Sequence, residues 1–249
     1  MLRRRSLMGG GPKDYIEFAN ADIGAYFAKR YGDGVGITYA QAEAITEFDS
    51  DLQMANIVGQ ASYTFEELNY FTGLVSLPED FCESYGRAKG YDCNISRLSL
   101  PNLTTMGASC FLFANIDEID CPKLSYLGYQ ALVETNTKRI VFGDAFTEHT
   151  VNGMLSYQYC LEYLYFANLQ KISNYTVIGN AYKSTNLKIY IATPSGPPTF
   201  TQEPSQTSRG RDYFIVASTA KLYVPSNLIS AYQADGAPWT TCFASINAI

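Results

Sequence analysis

Short segments with an apolar, variable, apolar pattern recur through the middle of the chain: Leu98-Ser-Leu100, Ile119-Asp-Cys121, Ile140-Val-Phe142, Leu164-Tyr-Phe166 and Ile189-Tyr-Ile191. Their first residues are 21, 21, 24 and 25 positions apart, and a further copy, Leu222-Tyr-Val224, follows after a longer interval. A period of two is strand geometry with one face buried. A second apolar pair, three positions apart, comes after several of these strands: Leu103 and Met106, Leu124 and Leu127, Leu169 and Ile172. Gly107 and Gly128 take the same place in their repeats. The third copy departs, with Gly143-Asp-Ala-Phe146 and a longer excursion through His149 to Tyr159.

One strand with a short return cannot bury its own apolar edge. Stacked units can, because they make parallel ladders around one continuous core. An ordinary β-sandwich with regularly spaced strands is the alternative, and two apolar positions recurring in register favour the stack. The apolar positions then point inward. The outward residues read Arg97/Ser99, Glu118/Asp120, Arg139/Val141, Tyr163/Tyr165, Lys188/Tyr190 and Lys221/Tyr223. In this register Tyr165, Tyr190 and Tyr223 form a ladder beside Tyr163. Such a face suits sugar rings or a protein partner; equally, tyrosines can simply cover a sheet with their apolar rings.

The flanks follow other periods. Asp22 to Tyr31 carries a helical stripe of Ile23, Tyr26 and Phe27. Thr38-Tyr-Ala-Gln41 has the capping-box pattern and opens a second helix towards Ile45, and Thr64-Phe-Glu-Glu67 repeats the signal before Leu68 and Phe71. Thr193 to Asp212 is rich in Pro, Gly, Ser and Thr and predicts a long loop. After it come strand Leu222–Val224 and a helix begun by Pro225-Ser226, with Ser226 as its expected N-cap and Leu228, Ile229 and Tyr232 on its apolar side. Trp239 and Phe243 are expected to close that end of the core. The domain organisation predicted is an arm over 1–13, a helical cap over 14–72, repeats over 73–192, and a loop with a C-terminal cap over 193–249.

Composition narrows the chemistry. The 249 residues are 47% hydrophobic with a net charge of −6, which gives no electrostatic case for nucleic acid. No apolar run approaches the ~18 residues of a membrane span. The opening Met1-Leu-Arg-Arg-Arg-Ser-Leu-Met lacks the apolar stretch of a conventional export signal, so Arg3, Arg4 and Arg5 predict a basic arm that contacts a partner. Six cysteines without a CxxC pair argue against zinc and predict small buried thiols. Asp33-Gly-Val-Gly36 resembles an EF-hand turn, yet Lys29, Tyr31 and Gln41 stand where oxygen ligands are needed, so no calcium is expected. With His149 as the single histidine and no GxSxG, HExxH or phosphate-binding glycine loop, the chain predicts no catalytic residues, cofactor or metal. Acidic pairs such as Asp117/Glu118 and Glu66/Glu67 are explained more simply as solvated faces than as glycosidase carboxylates.

Four stretches carry a resemblance to a known family. Tyr15-Ile-Glu-Phe18-Ala is similar to the start of its capping region, and Glu67-Leu-Asn-Tyr-Phe-Thr-Gly-Leu74 to the opening of its first repeat. Ile191-Ala-Thr193 with Pro197-Pro-Thr199 resembles its last loop, and Leu222-Tyr-Val-Pro225 followed by Ala231-Tyr232 its closing strand and helix. The family is the BspA-like leucine-rich-repeat proteins of bacterial surfaces, found also in phages and prophages of gut anaerobes. Its "A-F-x-x-C" turn is eroded here, with only Cys160 clearly in place.

The resemblance implies an α/β repeat fold: an irregular leucine-rich-repeat solenoid of parallel strands, with a small helical N-terminal cap and a strand–helix C-terminal cap. It implies recognition rather than catalysis, most often adhesion. Two expectations follow. One is a virion component, a phage tail or capsid-decorating protein in an oligomeric assembly. It would dock on other virion proteins through the arm and present the repeats to a host surface protein or glycan. The other is a bacterial cell-surface or secreted adhesin.

Overall fold

The computed structural model describes residues 14–58, 62–83, 92–149, 151, 154–172, 177–181, 183–200, 214–235, 237 and 239–249. Among these the first strands in chain order are β1 (Ser62–Thr64), β2 (Ser76–Leu77), β3 (Asp92–Leu98), β4 (Thr105–Met106), β5 (Asn115–Cys121) and β6 (Tyr126–Leu127). They are followed by β7 (Arg139–Phe142), β8 (Glu148–His149), β9 (Tyr163–Phe166), β10 (Lys171–Ile172) and β11 (Ile178–Ala181). The last are β12 (Lys188–Ile191), β13 (Thr199–Phe200), β14 (Phe214–Val216), β15 (Lys221–Val224) and β16 (Ser245–Ala248).

Eight strands make one sheet in the order β1-β3-β5-β7-β9-β12-β15-β16, and its pairings are parallel throughout. Shorter parallel ladders, β2-β4-β6, β8-β10-β13 and β11-β14, tie the return segments together. This is the parallel solenoid predicted from the repeats.

Register carries the core. Leu98, Ile119, Ile140, Leu164, Ile189 and Leu222 are partners across successive strands, and each is fully buried. A second inward row, Cys121, Phe142, Phe166, Ile191 and Val224, is equally buried. Phe142 stacks on Phe146 at 4.4 Å and on Phe166 at 5.2 Å. Each such side chain contributes about 1.5–3 kcal/mol on burial, so a slip of one residue, which would turn every apolar position outward, is strongly disfavoured.

In the returns, Leu77, Met106 and Leu127 pair in one short ladder, and His149, Ile172 and Phe200 in another. The third copy thus keeps the second apolar pair, although its return stands where one short ladder ends and the other begins. Phe146 and His149, three apart and buried, take the places that Leu124 and Leu127 hold one turn earlier. A histidine in an apolar position is what hid the repeat.

Polar side chains hold the turns in step. Asn136 Nδ2 donates to Asn115 Oδ1 at 2.8 Å, and Asn115 Nδ2 donates to Asn94 Oδ1 at 3.1 Å. Asn94 Nδ2 in turn reaches the Tyr63 carbonyl at 3.0 Å. Close approach of backbones adds a second constraint: a Cβ on Gly143 would lie 2.0 Å from the Pro122 carbonyl oxygen, and one on Gly128 2.4 Å from the Ala108 nitrogen.

The N-terminal cap is built on helices α1 (Ala21–Arg30) and α2 (Tyr39–Ala44). Asn20 caps the first by accepting from the Asp22 and Ile23 amides, and Thr38 with Gln41 closes the capping box expected for the second. Phe27 packs against Phe48 at 5.4 Å, Phe65 at 5.8 Å and Phe71 at 5.0 Å; Phe48 reaches Phe81 at 5.5 Å, so one aromatic cluster joins cap to repeats.

Three details differ from the sequence expectation. Thr64 ends β1 and does not cap a helix; the turn that follows is a 3-10 helix, Glu66–Tyr70, whose Glu66 accepts from the Ser96 amide and Glu67 from the Ala19 amide. Pro225, not Ser226, precedes the 3-10 turn Ser226–Leu228 that leads into the helix Ile229–Tyr232. Beyond Trp239 and Phe243, both buried, the chain adds an eighth strand to the main sheet, β16.

Candidate functional site

The outward face of the main sheet is two parallel rows of side chains. The first runs Arg97, Glu118, Arg139, Tyr163, Lys188, Lys221 and Ser245. The second runs Asp120, Val141, Tyr165, Tyr190, Tyr223 and Asn247. All four tyrosines singled out in the sequence are thus brought together, with Tyr165, Tyr190 and Tyr223 paired in register as expected.

Their rings do not follow the backbone pairing. Tyr190 lies 4.7 Å from Tyr163 and 4.6 Å from Tyr223, and 6.3 Å from Tyr165. Tyr190 and Tyr223 are nearly parallel, with 14° between ring planes. The Arg139 guanidinium covers the other end of the stack, 5.2 Å from the Tyr163 ring centre. Stacked this way, Tyr163, Tyr190 and Tyr223 turn flat faces on one another and present edges and hydroxyls outward. Tyr190, between two rings, and Tyr163, between Tyr190 and Arg139, are thereby closed to the sugar stacking that the sequence also allowed.

None of these four hydroxyls makes a hydrogen bond with the described residues, and all four rings are half-buried. Burial pushes the Tyr163 phenol above its ordinary value and the neighbouring Tyr190 adds to this, while Arg139 opposes it. At neutral pH Tyr163 is therefore a neutral O–H donor.

The two halves of the face differ in charge. Towards the N-terminal end, Arg97 is paired with Asp120 at 2.7 Å and Lys138 with Asp117 at 3.1 Å. Towards the C-terminal end, exposed Lys188 and Lys221 sit on adjacent strands and pair with no carboxylate among the described residues. Beside them, exposed Glu162 stands one position before Tyr163, where the corresponding residues of the next two strands, Leu187 and Ala220, are buried. Arg139, Lys188 and Lys221 were not singled out from sequence as a site. Their signal was there, in outward positions of successive repeats carrying one sign of charge.

Other candidate sites look structural. Asp33 Oδ1 accepts from the Val35 and Gly36 amides at 3.0 and 3.1 Å, and its Oδ2 from the Tyr15 hydroxyl at 2.7 Å. Its carboxylate is thus used in closing the turn. Among the described residues no group of three or more His, Cys, Asp or Glu side chains is placed to hold a metal ion, and no helix is long and apolar enough to cross a membrane. Arg3, Arg4 and Arg5 lie outside the described residues.

Comparison with known families finds a match to the BspA type Leucine rich repeat region, in six copies, over residues 46–162 and 89–195. No curated protein and no solved structure matches the chain.

Proposed function

The chain belongs to the BspA-type leucine-rich-repeat family, and from that premise we propose that it is a non-enzymatic binding scaffold whose outer sheet face, centred on Tyr163, Tyr165, Tyr190 and Tyr223, docks a protein partner. The observation that carries this reading is the tyrosine stack itself. Four half-buried rings are held at ring spacings of 4.6 to 6.4 Å with unspent hydroxyls outward. Such rings offer large contact area at little further cost in side-chain entropy, which is why tyrosine concentrates at protein interfaces.

The finer reading places this scaffold in a phage virion, as a tail or capsid-decorating component held by Arg3, Arg4 and Arg5 and presenting the repeats to a host surface. Support comes from the resemblance to repeat proteins carried by phages and from the opposite sign of the arm in a chain of net charge −6. Mass spectrometry of purified particles tests it: stoichiometric abundance supports the virion, and recovery only at the bacterial surface overturns it in favour of an adhesin. The face is tested separately by adsorption of the purified chain to host cells. Tyr190→Ser with Tyr223→Ser is expected to abolish adsorption, whereas Tyr129→Ser, on another surface, leaves it intact. Equal adsorption by all variants overturns the proposed face.

A further inference from the structure

Resting on that proposed face, we infer that its C-terminal half selects an acidic protein segment, with carboxylates seated between the tyrosine hydroxyls and the Lys188–Lys221 pair. Lys188 and Lys221 are neighbours across β12 and β15, two positions before Tyr190 and Tyr223 and so on the same face of each strand. Strands in a sheet lie about 4.8 Å apart, so two ammonium groups and two phenols border one strip of surface. Arg139 extends the positive row to the far side of Tyr163. Against these three cations stand two carboxylates, Glu162 at the entrance to β9 and Glu118, which is opposite Arg139 on β5, so the excess rests on Lys188 and Lys221.

The N-terminal half of the face offers no such excess. Arg97 is neutralised by Asp120 at 2.7 Å, and Glu118 occupies the row between Arg97 and Arg139. With a chain net charge of −6, an acidic partner is repelled by most of the molecule and accepted at this strip. That arrangement sets orientation and register as much as affinity.

Two features favour protein over an acidic glycan. Tyr190 is flanked by rings at 4.6 and 4.7 Å, and Tyr163 lies between Tyr190 and Arg139, so a pyranose finds no free flat surface on these two central rings. What remains is a row of ring edges with O–H donors, which suits carboxylate side chains spaced along an extended peptide.

The test uses the full chain and a random copolymer of glutamate and tyrosine as probe, with a lysine–tyrosine copolymer and a polyuronate as comparators. Binding of the acidic copolymer is expected to weaken steeply with salt. The double variant Lys188→Glu/Lys221→Glu should lose about tenfold or more in affinity, with an unchanged thermal transition. Arg97→Glu, in the neutralised half, should lose little. Failure of the wild-type chain to bind the acidic copolymer, or charge reversal without effect, overturns this inference. If charge reversal is silent while Tyr190→Ser with Tyr223→Ser still abolishes adsorption to host cells, the docking face stands and its acidic selectivity falls. Preference for the polyuronate overturns the choice of protein.

Discussion

Tyr163 packs against Tyr190 at 4.7 Å, although the residue paired with Tyr190 across the sheet is Tyr165, whose ring centre is 6.3 Å away. The contact is a diagonal one, within reach of aromatic side chains on neighbouring strands. It makes Tyr190 the hub of the stack, because Tyr163, Tyr165 and Tyr223 all touch it. Aromatic pairs are worth about 0.5–1.5 kcal/mol beyond their area. Tyr190→Ala should therefore lower the free energy of chemical unfolding by about 1–3 kcal/mol, and Tyr165→Ala by less. Equal losses would mean that the diagonal contact does not hold in solution.

Gly143 and Gly34 predict opposite kinds of sensitivity. A Cβ on Gly143 collides with the Pro122 carbonyl oxygen of the turn below, whereas one on Gly34 meets open space and suffers only from its φ of 88°. Gly34→Ala should cost about 1–2 kcal/mol through backbone strain. Gly143→Ala should cost more and broaden the thermal transition, because the strand spacing itself must change. A mild effect at Gly143 would show that β5 and β7 separate more easily than their shared register implies.

Asn115 both gives and takes a hydrogen bond in the asparagine ladder. Asn115→Asp keeps the acceptor for Asn136 but sets a carboxylate oxygen against Asn94 Oδ1. Unfolding measurements at pH 7 should find it destabilised by about 1–3 kcal/mol, and more so than Asn115→Ser. Should the aspartate variant be the more stable of the two, the donor half of the ladder would carry no weight.

Glu83 gives a pH dependence of definite sign. Desolvation, then the neighbouring Asp80 charge and hydrogen bond, push its carboxyl up to about 7. The folded state thus holds this proton more tightly than the unfolded chain. The resulting stabilisation is full below the unfolded value of about 4.3 and is lost as pH rises through about 7. Glu83→Gln should flatten the stability profile between those limits and gain most near pH 8. A profile unchanged by the substitution would remove Glu83 as its source.

Thiol reactivity should separate one cysteine from five. Cys160 is exposed, whereas Cys82, Cys93, Cys110, Cys121 and Cys242 are buried. Burial raises the Cys82 and Cys110 thiols well above their ordinary value and brings Cys121 to about 12. Alkylation of the native chain at pH 8 should modify Cys160 alone, with the others reacting only in denaturant. Rapid labelling at Cys93 or Cys110 would show that the first repeats open readily.

Repeat, register and tyrosine row were legible because each depends on side-chain type at a fixed interval. Ile119 and Ile140 announce an inward position by hydrophobicity, and Tyr190 and Tyr223 fall one residue later by strand alternation. His149 was not legible, since an apolar count passes over a buried imidazole in a core row. Nor was β16: Ser245-Ile-Asn-Ala248 offers one strong apolar residue, and its pairing with β15 comes from tertiary context. Thr64 misled because the capping-box pattern is local, while Glu66 and Glu67 are used by the distant Ser96 and Ala19 amides. The diagonal lean of Tyr163 depends on ring packing that no one-dimensional pattern encodes.

Members of the inward row from Leu98 to Leu222 are 21, 21, 24, 25 and 33 residues apart in the chain, yet each sits opposite the next. The register of the main sheet absorbs none of this variation in length. The front therefore behaves like movable type, in which each unit contributes two or three letters and the backing holds them in line. A unit gained, lost or exchanged by recombination would rewrite one stretch of the surface while leaving the spelling on either side intact. A protein meeting a changing set of partners can in this way revise what it recognises without having to relearn how to fold.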